Sequence, residues 1–242
     1  MEQNHRSDTA RQTGLIVALD TKDPAQAKAW AHAVQGVAGV IKLGMEFAYA
    51  AGFQAVADLA GQRPLFLDLK LHDIPNTVGA AVKALSHLRP RMLTLHAVGG
   101  AEMMKAARKA CDEAFPEGER PLLLAVTVLT SMDDQALAEV GVPDDTRTQV
   151  LRLAHLAMKS EMDGLICSAH ELKALREALG DKPVLVTPGI RPAGAAKGDQ
   201  KRVMTPAEAR AAGADWIVVG RPITQAADPA AAAAAIAAEL AV

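Results

Sequence analysis

The 242-residue chain is half apolar but only 3% aromatic, and its formal charge is −2. That size and content suit one α/β domain with an aliphatic core. The near-neutral balance argues against nucleic acid and a basic membrane face as partners, and no apolar run is long enough to cross a bilayer. Residues 1–13 are polar, lack a signal-peptide core and read as a flexible tail ahead of a single catalytic domain, 14–242. Cys111 and Cys167 fit no CxxC pattern and read as reduced thiols of a cytoplasmic protein.

Residues 14–20 form a first buried strand that ends in Asp20. Asp23-Pro24 is a cap and first-turn pair for a helix to about residue 35. Residues 40–44 are a second strand, carrying Lys42, and 46–60 a helix despite Gly52. In the third strand, which opens at Leu65, Asp68 and Lys70 lie two residues apart and share a face. Leu67, Leu69 and Leu71 face the other way. Ile74-Pro75 ends that strand and opens a helix to residue 88, because a residue before proline avoids helix while proline suits a first turn. Residues 91–97 are a fourth strand with His96, followed by a helix to 114. Residues 122–129 are a fifth, followed by a polar turn at Thr130 and an excursion over 133–144. A helix over 145–160, a strand over 164–168, a helix over 169–179 stopped by Gly180, and a strand over 183–188 come next. A loop rich in Gly, Pro and charge spans 189–203. Thr205-Pro206 caps a short helix, 214–220 is the eighth strand, and Asp228-Pro229 caps an alanine-rich final helix.

Eight apolar strands alternating with helices predict a parallel sheet closed into a (β/α)8 TIM barrel. An open doubly wound sheet is the rival, but the first turn, Asp20-Thr21-Lys22-Asp23, has no GxGxxG. Barrel active sites lie at the C-terminal ends of the strands. Asp20, Lys42, Asp68, Lys70, His96, Thr130, Gly220 and Arg221 all fall there. Singly, each has an ordinary reading: Lys42 a snorkelling lysine, Asp20 a cap, His96 a hydrogen-bonded barrel histidine. Together they read as a site. Gly189, Arg191 and Gln200 after strand seven, with Gly220 and Arg221 after strand eight, offer N–H groups and forked guanidinium groups to a phosphate. The loop 189–203 is long enough to act as a lid. The pattern predicts a phosphorylated sugar-like ligand, with reacting chemistry at Asp68, Lys70 and Asp73. Asp20, Asp68 and Asp73 could offer oxygens to Mg²⁺, but Lys42 and Lys70 already supply positive charge, and no His/Cys cluster suits zinc. Schiff-base chemistry at Lys70 needs a neutral amine, which flanking carboxylates disfavour.

The run Asp68-Leu69-Lys70-Leu71-His72-Asp73-Ile74-Pro75-Asn76-Thr77 resembles the signature of the orotidine 5′-phosphate decarboxylase family. The likeness continues in order through Val17-Ala18-Leu19-Asp20, Ile41-Lys42-Leu43-Gly44, Val128-Leu129-Thr130-Ser131-Met132, Thr187-Pro188-Gly189-Ile190-Arg191 and Val219-Gly220-Arg221-Pro222-Ile223. It is closest to the bacterial single-enzyme form. The resemblance implies decarboxylation of orotidine 5′-phosphate to UMP in de novo pyrimidine synthesis, by a homodimer with no metal and no organic cofactor. It further implies a charged network of Lys42, Asp68, Lys70 and Asp73, with Asp73 and Thr77 reaching into the partner's site. Asp20 and Lys42 are implied to hold ribose hydroxyls, Asp68 to face the departing carboxylate, and Thr130 to lie near the pyrimidine. Arg191, Gln200, Gly220 and Arg221 are implied to close on the phosphate, and His96 to sit by the sugar or support the network. The nearest alternatives, similar around DxKxxD, are Mg²⁺-dependent 3-keto sugar-acid phosphate decarboxylases and hexulose-phosphate synthases. Ile74-Pro75-Asn76-Thr77 and the long strand-seven loop argue against them.

Overall fold

A computed structural model describes residues 13–192 and 204–241. The strands are β1 (Gly14–Ala18), β2 (Val40–Gly44), β3 (Leu65–Leu71), β4 (Met92–His96), β5 (Leu122–Val126), β6 (Gly164–Ile166), β7 (Val184–Thr187) and β8 (Trp216–Val219). They pair in parallel in sequence order, and β8 returns to β1 to close the barrel. The helices are α1 (Pro24–Ala33), α2 (Met45–Ala60), α3 (Pro75–Ala84), α4 (Gly100–Ala114), α5 (Asp134–Glu139), α6 (Thr146–Lys159), α7 (Leu172–Leu179), α8 (Pro206–Ala211), α9 (Arg221–Thr224) and α10 (Pro229–Ala241).

The expected caps are present. The Asp23 carboxylate accepts from the Ala25 N–H at 2.8 Å, and Pro24 stands in the first turn of α1. Thr205 and Glu208 form a reciprocal capping box at α8, and Asp228 accepts from the Ala231 N–H at 3.0 Å ahead of α10. The differences from the expected elements are local. The helix after β3 stops at Ala84 and gives way to a 3₁₀ turn, Ser86–Leu88. The chain within α2 breaks at Gly52, whose φ of 80° no helix accommodates. The excursion over 133–144 contains α5, and the turn after β8 winds into α9. Thr13, expected in the tail, is buried, and its hydroxyl donates to the Ala214 carbonyl at 2.7 Å.

The alternation of side chains divides the core into two shells. Ile16, Ala18, Val40, Phe66, Met92, Leu124, Val186 and Val218 fill the barrel interior. Their odd-numbered neighbours, among them Val17, Ile41, Leu67, Leu93, Ala125, Leu165, Leu185 and Ile217, pack outward against the helices. Each large interior side chain contributes roughly 1.5–3 kcal/mol by leaving water. The same parity continues upward. Asp20 lies two residues past Ala18, Lys42 past Val40, Asp68 past Phe66, and Thr94 past Met92. The polar residues are therefore the top interior layer, carried on an apolar plug that fixes their positions.

Candidate active site

Two lysines bracket one buried carboxylate at the C-terminal mouth of the barrel. Lys42 and Asp68 are 8% and 9% exposed. Lys42 Nζ lies 3.1 Å from Asp20 Oδ1 and 3.4 Å from Asp68 Oδ2. Lys70 Nζ donates to Asp68 Oδ1 at 2.8 Å. Burial alone would push the Asp68 carboxyl up. The ammonium groups of Lys42 and Lys70, with hydrogen bonds from Lys70 and Thr94, outweigh it and hold the carboxyl below its ordinary value. Burial also works against the Lys42 ammonium, and Asp68 and Asp20 together overcome it and raise its pKa. Asp68 is therefore an anion and Lys42 a cation at neutral pH. With both Asp68 oxygens engaged by lysines, the arrangement is self-neutralising and leaves that carboxylate poorly placed to ligate a divalent ion. Among the described residues no group of three or more His, Cys, Asp or Glu has a metal-holding arrangement.

Asp68 and Lys70 do share a face, but not as members of a regular strand. Leu67 pairs with Leu93 and Leu71 with Leu95, so three residues of β3 stand opposite Thr94 alone. The irregularity is taken up at Lys70, whose φ is 51°. Thr94, 0% exposed, fills the gap: its hydroxyl accepts from the Lys70 N–H at 2.9 Å and donates to Asp68 Oδ1 at 2.9 Å. Sequence reasoning missed this residue. Its only signal was a lone hydroxyl at an inward position of an apolar strand.

These groups border a cavity of about 170 Å³ lined by Lys42, Asp68, Lys70 and Thr130 on its polar side, and by Val126, Ile166, Pro188 and Val218 on its apolar side. Cys167 also lines it, and burial pushes its thiol up to about 12, so it is no nucleophile at neutral pH. Buried Cys111 is likewise pushed up to about 11. A larger cavity of about 570 Å³ lies between α5, α6 and α7. Its acids have structural duties: Asp133 and Asp145 cap helices, and Asp134 accepts from Thr146.

The other expected residues are distributed as follows. His96 ends β4, its ring 5.5 Å from that of His72. Burial, then His72 and Lys70, lower its pKa, so it is neutral at pH 7. Asp73 is exposed and accepts from the Ile74 N–H at 2.7 Å. Among the described residues no salt bridge links it to Lys42 or Lys70 of its own chain. Thr77 is exposed on the first turn of α3. Arg191, expected in an open loop, is instead buried, and its guanidinium donates to the Ile190 carbonyl at 2.9 Å. Gly220 and Arg221 open α9 beside the mouth. Gln200 and most of the proposed lid lie outside the described residues.

The family model for orotidine 5′-phosphate decarboxylase / HUMPS matches residues 13–236. The chain belongs to this family. It is 57% identical to the orotidine 5′-phosphate decarboxylase of Gluconobacter oxydans, over 96% of this chain and 99% of that one. The relative of the same name from Anaeromyxobacter sp. (strain K) is 52% identical, with 93% and 97% covered. The crystal structure of orotidine 5′-phosphate decarboxylase from Lactobacillus acidophilus superposes with a TM-score of 0.84 at 42% identity, covering 95% of this chain and all of the other. The family model spans both names, whereas these relatives carry the decarboxylase name alone.

Proposed function

We propose that this chain decarboxylates orotidine 5′-phosphate to UMP, without metal or organic cofactor, in pyrimidine biosynthesis. The observation that carries the reading is the Lys70 ammonium, held 2.8 Å from the Asp68 carboxylate at the edge of the cavity. Heterolysis of the C6–CO₂ bond leaves an electron pair on C6 that the pyrimidine π-system does not accept. Lys70 aimed at C6 stabilises that charge and then delivers a proton to the same atom, while CO₂ departs. Asp68 faces the substrate carboxylate, and their repulsion is relieved as CO₂ leaves. Asp20 and Lys42 take ribose hydroxyls and Thr130 borders the pyrimidine. Arg191, Gln200, Gly220 and Arg221 serve the phosphate, whose binding energy orders the network.

We further infer a homodimer in which Asp73 and Thr77 complete the neighbouring site. Residues 72–77 are all exposed, Ile74 at 66%. Tyr49 on α2 and Val98 after β4 are exposed apolar residues on segments that leave the C-terminal ends of β2 and β4, on either side of β3. The exposed Asp73 carboxylate, with no salt bridge to Lys42 or Lys70 of its own chain among the described residues, fits a role across such an interface.

Loss of ultraviolet absorbance on adding orotidine 5′-phosphate, measured in EDTA, tests the reaction. Full turnover is expected; dependence on added Mg²⁺ would favour the sugar-phosphate alternatives. Lys70→Ala should lose almost all turnover while UMP still binds. Near-normal turnover would remove Lys70 from the mechanism.

A further inference from the structure

Lys70 occupies a backbone conformation that L-residues rarely adopt. Its φ of 51° lies in the left-handed region, which costs an L-residue about 1–2 kcal/mol. The register shift opposite β4 takes the Lys70 N–H out of the regular ladder, where a buried donor needs a partner. One side chain answers both demands. The Thr94 hydroxyl accepts from that N–H at 2.9 Å and has a single proton to give, which goes to Asp68 Oδ1 at 2.9 Å. The same Oδ1 accepts from Lys70 Nζ at 2.8 Å. A closed ring results: Lys70 main chain, Thr94 hydroxyl, Asp68 carboxylate, Lys70 ammonium. Thr94 is fully buried on the barrel interior, and its β-branch restricts χ1, so the ring is anchored to β4 rather than to a mobile loop. Asp68 Oδ2 faces Lys42 at 3.4 Å, which leaves the carboxylate little freedom to rotate.

We propose that Thr94 is a positioning residue that sets the reactive geometry of Lys70 and Asp68 together, acting through them. The inference rests on the decarboxylase reading for its kinetic consequence, but its geometric consequence stands independently. Both ends of the Lys70 side chain are tied to the Asp68–Thr94 pair, so losing the hydroxyl frees the left-handed turn and the carboxylate at once. A displacement near 1 Å at a reacting group costs about 100-fold in rate.

The test compares Thr94→Val, which keeps the shape and removes the hydroxyl, with Thr94→Ser, which keeps the hydroxyl. Thr94→Ala serves as the hydroxyl-free variant should valine prevent folding. The hydroxyl-free protein should lose about 100-fold in kcat. KM and UMP affinity should stay within about threefold, because the groups assigned to ribose and phosphate are untouched. The acid limb of its kcat profile should move to higher pH, since a hydrogen bond favouring ionised Asp68 is gone. Serine should restore kcat to within about tenfold of wild type. A crystal structure of the hydroxyl-free variant should show Lys70 out of the left-handed region or its Nζ more than about 4 Å from Asp68. Wild-type kcat in that variant, a serine variant as impaired as it, or an unchanged Lys70–Asp68 arrangement would each overturn the proposal. Failure of wild-type protein to consume orotidine 5′-phosphate would instead overturn the reaction assignment, and the crystal structure would then decide the role of Thr94.

Discussion

Asp68→Asn removes the carboxylate that, among the described residues, faces both lysines, while keeping the side-chain shape. At 2.8 and 3.4 Å, and an effective dielectric near 20, each pair has a gross attraction of roughly 5–6 kcal/mol. Desolvation offsets most of it. The net cost of taking one partner from a buried pair is about 3–5 kcal/mol, and the lower end applies because Lys70 is partly exposed and Lys42 keeps Asp20. A loss of about 3 kcal/mol in a domain of this size lowers Tm by roughly 6–12 °C. The pH dependence follows from the sign of the shift. The folded-state pKa of Asp68 is depressed, so its stabilisation is full above the unfolded value, about 3.9, and is lost as pH falls through the folded value. The gap between wild type and Asp68→Asn should therefore be widest near neutrality and close in acid. Adding Lys42→Met should recover about 1 kcal/mol or more, because it removes a buried cation left with only the half-exposed Asp20 as partner. Thermal unfolding followed by circular dichroism, at matched protomer concentration from pH 3 to 8, reads all three effects. A Tm within about 2 °C of wild type at pH 7, with an unchanged acid limb, would refute the view that Asp68 holds the two lysines in place.

Gly44→Ala should raise KM a few-fold with little change in Tm, because a Cβ there would lie 3.2 Å from Lys42 Nζ and shift it slightly against Asp20; unchanged steady-state kinetics would place the ribose contacts elsewhere. Arg221→Ala should cut kcat/KM about 100-fold by weakening the proposed phosphate clamp. An Arg221→Ala protein with wild-type kinetics would misplace that subsite. Mixing Lys70→Ala with Asp73→Asn subunits at equal concentration should restore roughly a quarter of wild-type activity, since half the dimers are hybrid and each hybrid has one intact site. No rescue after demonstrated subunit exchange would rule out a shared site.

Features encoded within a few residues were legible in the chain. Apolar runs marked eight strands with Asp20, Lys42, Asp68 and Lys70 toward their C-terminal ends, and alternation put Asp68 and Lys70 on one face, because side-chain direction along a strand is a local property. Aspartate or threonine before proline marked three helix starts, since a cap needs only the next three residues. The ten-residue signature around Lys70 pointed to the family that the whole-chain comparisons support. Features that depend on register between distant segments were not legible in the chain alone. The pairing of Leu71 with Leu95 forces the left-handed turn at Lys70, and it brings in Thr94 from 26 residues beyond Asp68. No local pattern near Lys70 announces either. The pairing of β2 with both β1 and β3 likewise lets Lys42 stand between Asp20 and Asp68, and Arg191 is buried although the sequence placed it in a polar loop. Local chemistry chose the residues of the site. Strand pairing fixed which atoms of those residues meet, because a strand controls its own side-chain directions but not what its neighbours present.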